Sequence, residues 1–188
     1  QNAANASGGG TPTIIANTEE YNGSAWSNGG ALIQLRFYAG GAGTQNSGLV
    51  FGGTTPSTIT NTEEYDGSSH TAGGAMINGR YTLFGTGTQN AALAATGYAP
   101  NVSTHTEEYN GSSWSTGGSV ITSRYGPNVG TGGTQNSALL VSGYCNNSGG
   151  VTKNTEQYDG VSWSRSVPNL HGRAYLGGSG DTSNNLVF

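Results

Sequence analysis

The sequence predicts an all-β fold made of about four repeats, each a four-stranded antiparallel unit, and three observations carry that expectation. The tetrapeptide Thr-Glu-Glu-Tyr recurs at Thr18 to Tyr21, Thr62 to Tyr65 and Thr106 to Tyr109, and returns as Thr-Glu-Gln-Tyr at Thr155 to Tyr158. Each copy is followed by Asn-Gly or Asp-Gly, the dipeptides that reverse a hairpin. A second marker, Gly-Thr-Gln-Asn, stands at Gly43 to Asn46, Gly87 to Asn90 and Gly133 to Asn136, with Gly180-Asp181-Thr182-Ser183 in its place at the end. With Gln1, Gln45, Gln89, Gln135 and Thr182 as equivalent positions, the period is 44, 44, 46 and 47 residues.

The strands of one unit follow in order from Arg80. Arg80 to Gly85 leads into Gly-Thr-Gln-Asn as the first strand, and Ala91 to Tyr98 gives the second. A variable loop precedes Thr106 to Tyr109, the third, and Ser113-Trp114-Ser115 supplies the fourth before Gly117-Gly118. A unit of this length holding four short strands is the size of one β-propeller blade. The units run approximately over 1–35 (partial), 36–79, 80–123, 124–172 and 173–188 (partial), together a single propeller or propeller segment over 1–188. The extra residues of the longer units fall around Pro127-Asn128 and around Asn146 to Gly150. Second strands such as Ser47 to Gly53 and Ser137 to Gly143 are expected to alternate and carry small residues, which suits inner strands converging on an axis. Residues 182–188 are the periodic equivalents of 1–7, so both ends offer the same inner strand. The chain is expected to be a segment of a larger ring, the alternative being that Asn185 to Phe188 closes a four-bladed ring in place of Ala3 to Ser7. It starts inside a motif at Gln1, as a processed or excerpted chain does.

Composition narrows the function. Only 9% of residues are charged, Gly occurs 34 times, and the net charge is -4 with a single lysine, Lys153. Without a basic stripe no nucleic-acid partner is expected. No apolar run approaches the roughly 18 residues of a membrane helix, so no membrane insertion is expected. Cys145 is the sole cysteine, in an Asn/Ser/Gly loop, and no internal disulfide can form.

The order of Arg, an apolar strand ending in Gly-Gly, Glu-Glu-Tyr-Asp/Asn-Gly and a following Trp resembles the kelch repeat over nearly the whole chain. Gly8-Gly9 and Gly52-Gly53 match its double glycine, while Gly97-Tyr98 and Gly143-Tyr144 depart from it. Tyr21, Tyr65, Tyr109 and Tyr158 match its tyrosine. Trp26, Trp114 and Trp163 match its tryptophan, with His70 in that place in the second copy. A narrower resemblance is to the Glu-Glu-Tyr-Asp-Gly-Ser-Ser-Trp repeats of marine bacteriophage virion proteins, cyanophages included. It implies a tail-fibre, appendage or capsid-decoration protein on the virion surface, partnered by other virion proteins or host-surface glycans. The alternative is a secreted or cell-surface bacterial propeller that binds carbohydrate or mediates adhesion. A homo-oligomer is a further partner to expect.

The resemblance also raises a copper-oxidase reading, which needs a Cys-linked Tyr with His ligands. Cys145 and the non-equivalent His70, His105 and His171 do not offer that set, so no metal or other cofactor is expected. The repeated acidic pairs Glu19-Glu20, Glu63-Glu64 and Glu107-Glu108 suggest a glycosidase only superficially. Neighbours on a strand face opposite ways, and identical pairs in every unit serve architecture rather than one active site. No catalytic residue is assigned and the chain is read as a non-enzyme. The first acid of each copy (Glu19, Glu63, Glu107, Glu156) and the repeat arginine (Arg36, Arg80, Arg124, Arg173) are expected to lock each unit through Glu-Arg or Glu-backbone bonds. The Tyr and Trp sets are expected to fill the space between sheets. Ligand contacts are placed on the variable loops Thr54 to Thr60, Tyr98 to His105 and Tyr144 to Asn154, with Tyr98, His105 and Tyr144 as the side chains. Asn-x-Ser at Asn22, Asn101, Asn110 and Asn146 reads as turn chemistry in a phage protein.

Overall fold

The computed structural model describes residues 3–126, 131–145, 150–176, 178–180 and 185–187, which form strands and turns and no helix. Of the loop insertions expected around Pro127-Asn128 and Asn146 to Gly150, residues 127, 128 and 146–149 lie outside the described residues. The fold is all-β. Three complete antiparallel sheets follow one another: Gly40–Thr44, Ser47–Phe51, Thr62–Tyr65 and His70–Ala72; then Phe84–Thr88, Ala91–Ala95, Thr106–Tyr109 and Trp114–Thr116; then Thr131–Thr134, Ser137–Val141, Thr155–Tyr158 and Trp163–Ser166. In each, the strands pair in chain order as a meander. Before them stands a three-stranded sheet of Ala4–Ser7, Thr18–Tyr21 and Trp26–Gly29, and after them the pair Gly178–Gly180 and Asn185–Val187.

The turn between third and fourth strands shows why the motif reads as it does. Asn110 Oδ1 accepts the backbone N–H groups of Ser112 and Ser113 at 3.0 and 2.9 Å, and Gly111 takes φ +91°. Asp66 and Asp159 cap their turns in the same way. A short side-chain acceptor followed by a residue free to adopt positive φ is what this reversal needs.

Second strands are buried on both faces instead of one. Ala92 to Ala95 and Ala138 to Val141 are all buried, because the sheets stack face to face. Leu49, Phe51, Met76, Leu83, Tyr109 and Trp114 pack together between the second and third sheets, and Phe84, Leu93, Val120, Leu140, Tyr158 and Trp163 between the third and fourth. Trp114 and Trp163 each donate Nε1–H to a threonine of the preceding sheet, Thr62 and Thr106, at 2.9 Å. His70 fills the same place, with Nε2 at 3.1 Å from Thr18 Oγ1. Trp26 departs from the expected packing: it lies against Tyr21 and is 54% exposed, because no sheet precedes its own among the described residues.

Sheets approach most closely at their first strands. A Cβ on Gly85 would stand 2.5 Å from the Gly41 carbonyl oxygen, so only glycine admits the second and third sheets at this separation. The glutamine of Gly-Thr-Gln-Asn fastens the contact. Gln89 donates to the carbonyls of Gly48 and Tyr65, and Gln135 to those of Ala92 and Tyr109. At the ends, Ala4–Ser7 pairs with Thr18–Tyr21, and Asn185–Val187 pairs with Gly178–Gly180. Asn185–Val187 therefore does not take the place of Ala4–Ser7, and no strand pairing joins the first and last sheets among the described residues.

Candidate functional site

Most of the polar side chains that the repeat singles out are engaged in holding the sheets. Arg36, Arg80 and Arg124 are buried and form ion pairs with the buried Glu63, Glu107 and Glu156. Each carboxylate also accepts two backbone N–H groups, those of Ile77 and Asn78 at 2.7 and 3.3 Å for Glu107. Each guanidinium donates to backbone carbonyls as well, Arg124 to Ser142 and Asn154. Burial pulls the three arginines below their ordinary value, and the paired carboxylate opposes that shift. The second acid of each pair faces the next repeat: Glu20, Glu64 and Glu108 accept the hydroxyls of Tyr65, Tyr109 and Tyr158 at 2.7, 2.6 and 2.6 Å. Desolvation, then the hydrogen bond to Glu64, pushes the Tyr109 hydroxyl up to about 12. Glu19 and Arg173 differ from their equivalents, being exposed and without an ion pair among the described residues.

The ten tyrosines divide into two sets. Tyr21, Tyr65, Tyr109 and Tyr158 belong to the third strands, and each donates its hydroxyl, Tyr21 to the Gly23 carbonyl. Tyr38, Tyr81, Tyr98, Tyr125 and Tyr175 lie in connections between strands and Tyr144 in the short strand Tyr144–Cys145, and none of their hydroxyls has a protein hydrogen bond among the described residues. These six run in one unbroken series. Phe37 and Tyr38 have centroids 4.5 Å apart, Tyr38 and Tyr81 6.2 Å, Tyr81 and Tyr98 5.5 Å, and Tyr98 and Tyr125 5.4 Å. Tyr125 stacks on Tyr144 at 5.5 Å, and Tyr144 meets Tyr175 at 5.6 Å. Partial desolvation raises the Tyr175 hydroxyl, and the phenols of Tyr125, Tyr144, Tyr38 and Tyr81 add to that shift, as expected where phenols converge on one rim.

Backbone bonding builds this rim. The residue after each repeat arginine bridges to the residue after the second-strand turn: Phe37 to Thr54, Tyr81 to Tyr98, Tyr125 to Tyr144. One position further, Tyr38, Thr82, Gly126 and Tyr175 all have left-handed backbones, φ +58°, +48°, +50° and +56°. Their peptides link sheet to sheet, Thr82 N–H donating to Tyr38 C=O, Gly126 to Thr82, and Tyr175 to Gly126, at 2.8 to 3.1 Å. A non-glycine residue in this conformation costs about 1–2 kcal/mol. Tyrosine nonetheless occupies two of the four positions, Tyr38 being 55% exposed and Tyr175 59%. Glycine at 126 serves its neighbour, since a Cβ there would stand 2.8 Å from the Tyr175 ring.

A groove of about 480 Å³ runs along part of the arc between Tyr38, Pro56, Tyr81, Tyr98 and Pro100. A second, of about 390 Å³, flanks the other side of Phe37 and Tyr38 with Pro12 and Ile14. A larger cleft of about 690 Å³ lies beside Gly40 to Gly43, with Asn5, Ser7, Phe37, Tyr38 and Leu49 also in its lining.

Of the side chains picked from the sequence, Tyr98 and Tyr144 belong to the arc. His105 does not: it is exposed, makes no ring contact with the arc, and its N–H donates to Ser103 Oγ at 3.0 Å. Cys145 is not in an open loop but buried in the short strand Tyr144–Cys145, with Sγ 3.3 Å from the Ser123 carbonyl. The double-glycine position is also corrected. Thr96-Gly97 and Ser142-Gly143 take the positive φ of Gly52-Gly53, so Tyr98 and Tyr144 follow the turn rather than replace its glycine. Sequence reasoning missed Tyr38, Tyr81, Tyr125 and Tyr175, although an aromatic one or two places after every repeat arginine was there to see. No known family profile matches this chain, and no curated protein sequence matches it.

Proposed function

We propose that the chain is a kelch-like propeller, or a segment of one, acting as a non-enzymatic recognition module whose binding surface is the tyrosine rim. One observation carries this reading: the six tyrosines with uncommitted hydroxyls all lie in one continuous series, whereas the repeated carboxylates other than Glu19 are engaged in bonds between strands and sheets. Rings with an apolar face and a polar edge suit binding at a wet interface. Side chains strained into position on a rigid scaffold fit a selected role in binding. Three occupied pairs of buried charge leave little for acid–base catalysis and much for stability of the frame. Together with the resemblance of its repeats to phage virion proteins, this supports a surface role on a virion, with host-surface glycans or neighbouring virion proteins as partners.

The test is to apply the fluorescently labelled chain to intact host cells, and to look for it in purified particles with antibody. Binding to cells that Tyr38→Ala weakens, together with detection in particles, supports the proposal. Absence from particles and no cell binding would overturn it, as would turnover of a glycan by the purified chain.

A further inference from the structure

Resting on the recognition reading above, we propose that the rim takes a linear, uncharged polysaccharide laid along the tyrosine arc, several sugar units at a time. The first ground is continuity. From Phe37 to Tyr175 every ring touches the next, with centroid steps of 4.5 to 6.2 Å across successive repeats. A single small ligand would use one or two of these rings. An extended chain alone uses the series.

The second ground is chemistry. Each of the six tyrosines carries a hydroxyl that the protein leaves unbonded among the described residues, and a ring with an apolar face and a polar edge fits the C–H side and the hydroxyls of a sugar. Charge is the third. The segments forming the rim, 36–39, 53–60, 80–83, 97–105, 124–126, 143–145 and 172–176, contain no Asp or Glu. Their arginines at 36, 80 and 124 are turned inward and neutralised by Glu63, Glu107 and Glu156. Only Arg173, at the Tyr175 end, leaves an exposed guanidinium in these segments. A uronate or sulfated polymer would find no row of counter-charges along this track. Preorganisation is the fourth ground: left-handed backbones and peptide bonds linking the sheets hold the rings in place before any ligand arrives, so little ordering remains for binding to supply.

The experiment is calorimetric titration of the intact chain, with ring-proton NMR of its tyrosines, against neutral gluco-, manno- and galacto-oligosaccharides from disaccharide to hexasaccharide. A polyuronate and a proline-rich peptide serve as competitors of other chemistry. The expected result is affinity that rises about tenfold or more with length for at least one neutral series, with shifts at rings in more than one repeat. Tyr38→Ala and Tyr98→Ala should each weaken hexasaccharide binding about tenfold, while Tyr98→Phe keeps most of it. Tyr38 is exposed, so its variant reports binding even if the Tyr98 truncation disturbs folding. No binding of any neutral glycan, affinity independent of length, or preference for the polyuronate or the peptide would overturn the inference. Cell binding that persists alongside such a result would leave the recognition reading standing and dismiss only the polysaccharide.

Discussion

Glu107→Gln probes the frame most directly, because the same motif position occurs elsewhere in the chain with a different environment. Glu107 is wholly buried, paired with Arg80, and accepts the N–H groups of Ile77 and Asn78. The amide keeps the volume and one acceptor but leaves the buried Arg80 guanidinium without its counter-ion. Removing one member of a buried pair costs about 3–5 kcal/mol. At about 2–4 °C per kcal/mol for a chain of this size, the melting temperature should fall by roughly 6–20 °C. Glu19→Gln makes the same chemical change in the same tetrapeptide, but Glu19 is exposed and unpaired among the described residues, so its variant should stay within about 0.5 kcal/mol of the parent. Adding Arg80→Met to Glu107→Gln removes the stranded charge and should recover part of the loss. The assay is thermal and urea unfolding followed by circular dichroism. Equal, small effects at Glu107 and Glu19 would refute the reasoning, as would a double variant less stable than the single one.

Three further outcomes follow from the geometry. Tyr109→Phe removes the donor to Glu64 and should cost about 1.5–3 kcal/mol, whereas Tyr98→Phe, whose hydroxyl has no protein partner among the described residues, should leave urea unfolding unchanged. His70 is buried with Nδ1 unbonded, 3.8 Å from Glu63 Oε2 and near Arg36, Asp66 and the Tyr65 ring; burial lowers its pKa from 6.5, and Arg36 adds to the lowering against the pull of Glu63. Its folded pKa lies below the unfolded one, so the neutral ring contributes stability that is present above about pH 6.5 and lost as pH falls through that value to the folded pKa; melting curves should show this loss, and His70→Trp should abolish that component. Gly126→Ala places a methyl against Tyr175 at a position of positive φ, and should both lower the melting temperature and shift the Tyr175 ring signals in NMR.

The all-β character and the turn positions were legible in the sequence because they depend on local chemistry. An Asn-Gly or Asp-Gly after Thr-Glu-Glu-Tyr reverses the chain whatever lies beyond it, and a period of 44 residues holds four strands and little else. The Glu–Arg pairing was legible as a repeated pair within one unit, Glu107 meeting Arg80 twenty-seven residues away. The partner of Tyr109 was less legible, since Glu64 lies forty-five residues away in the preceding sheet, across a stacking that no local pattern specifies. The same holds for the departures: Trp26 and Glu19 carry the same motif letters as Trp114 and Glu107, yet are exposed because burial depends on a neighbouring sheet rather than on the motif.

The sequence by itself determined the strands, their turns and the repeat, since each follows from backbone preferences within a few residues. Only the tertiary structure decided which tyrosines are engaged and which are free. Ten identical side chains separate into four that hydrogen-bond to the adjacent sheet or, for Tyr21, to its own turn, and six that line one rim, because stacking brings segments distant in the chain within ring contact.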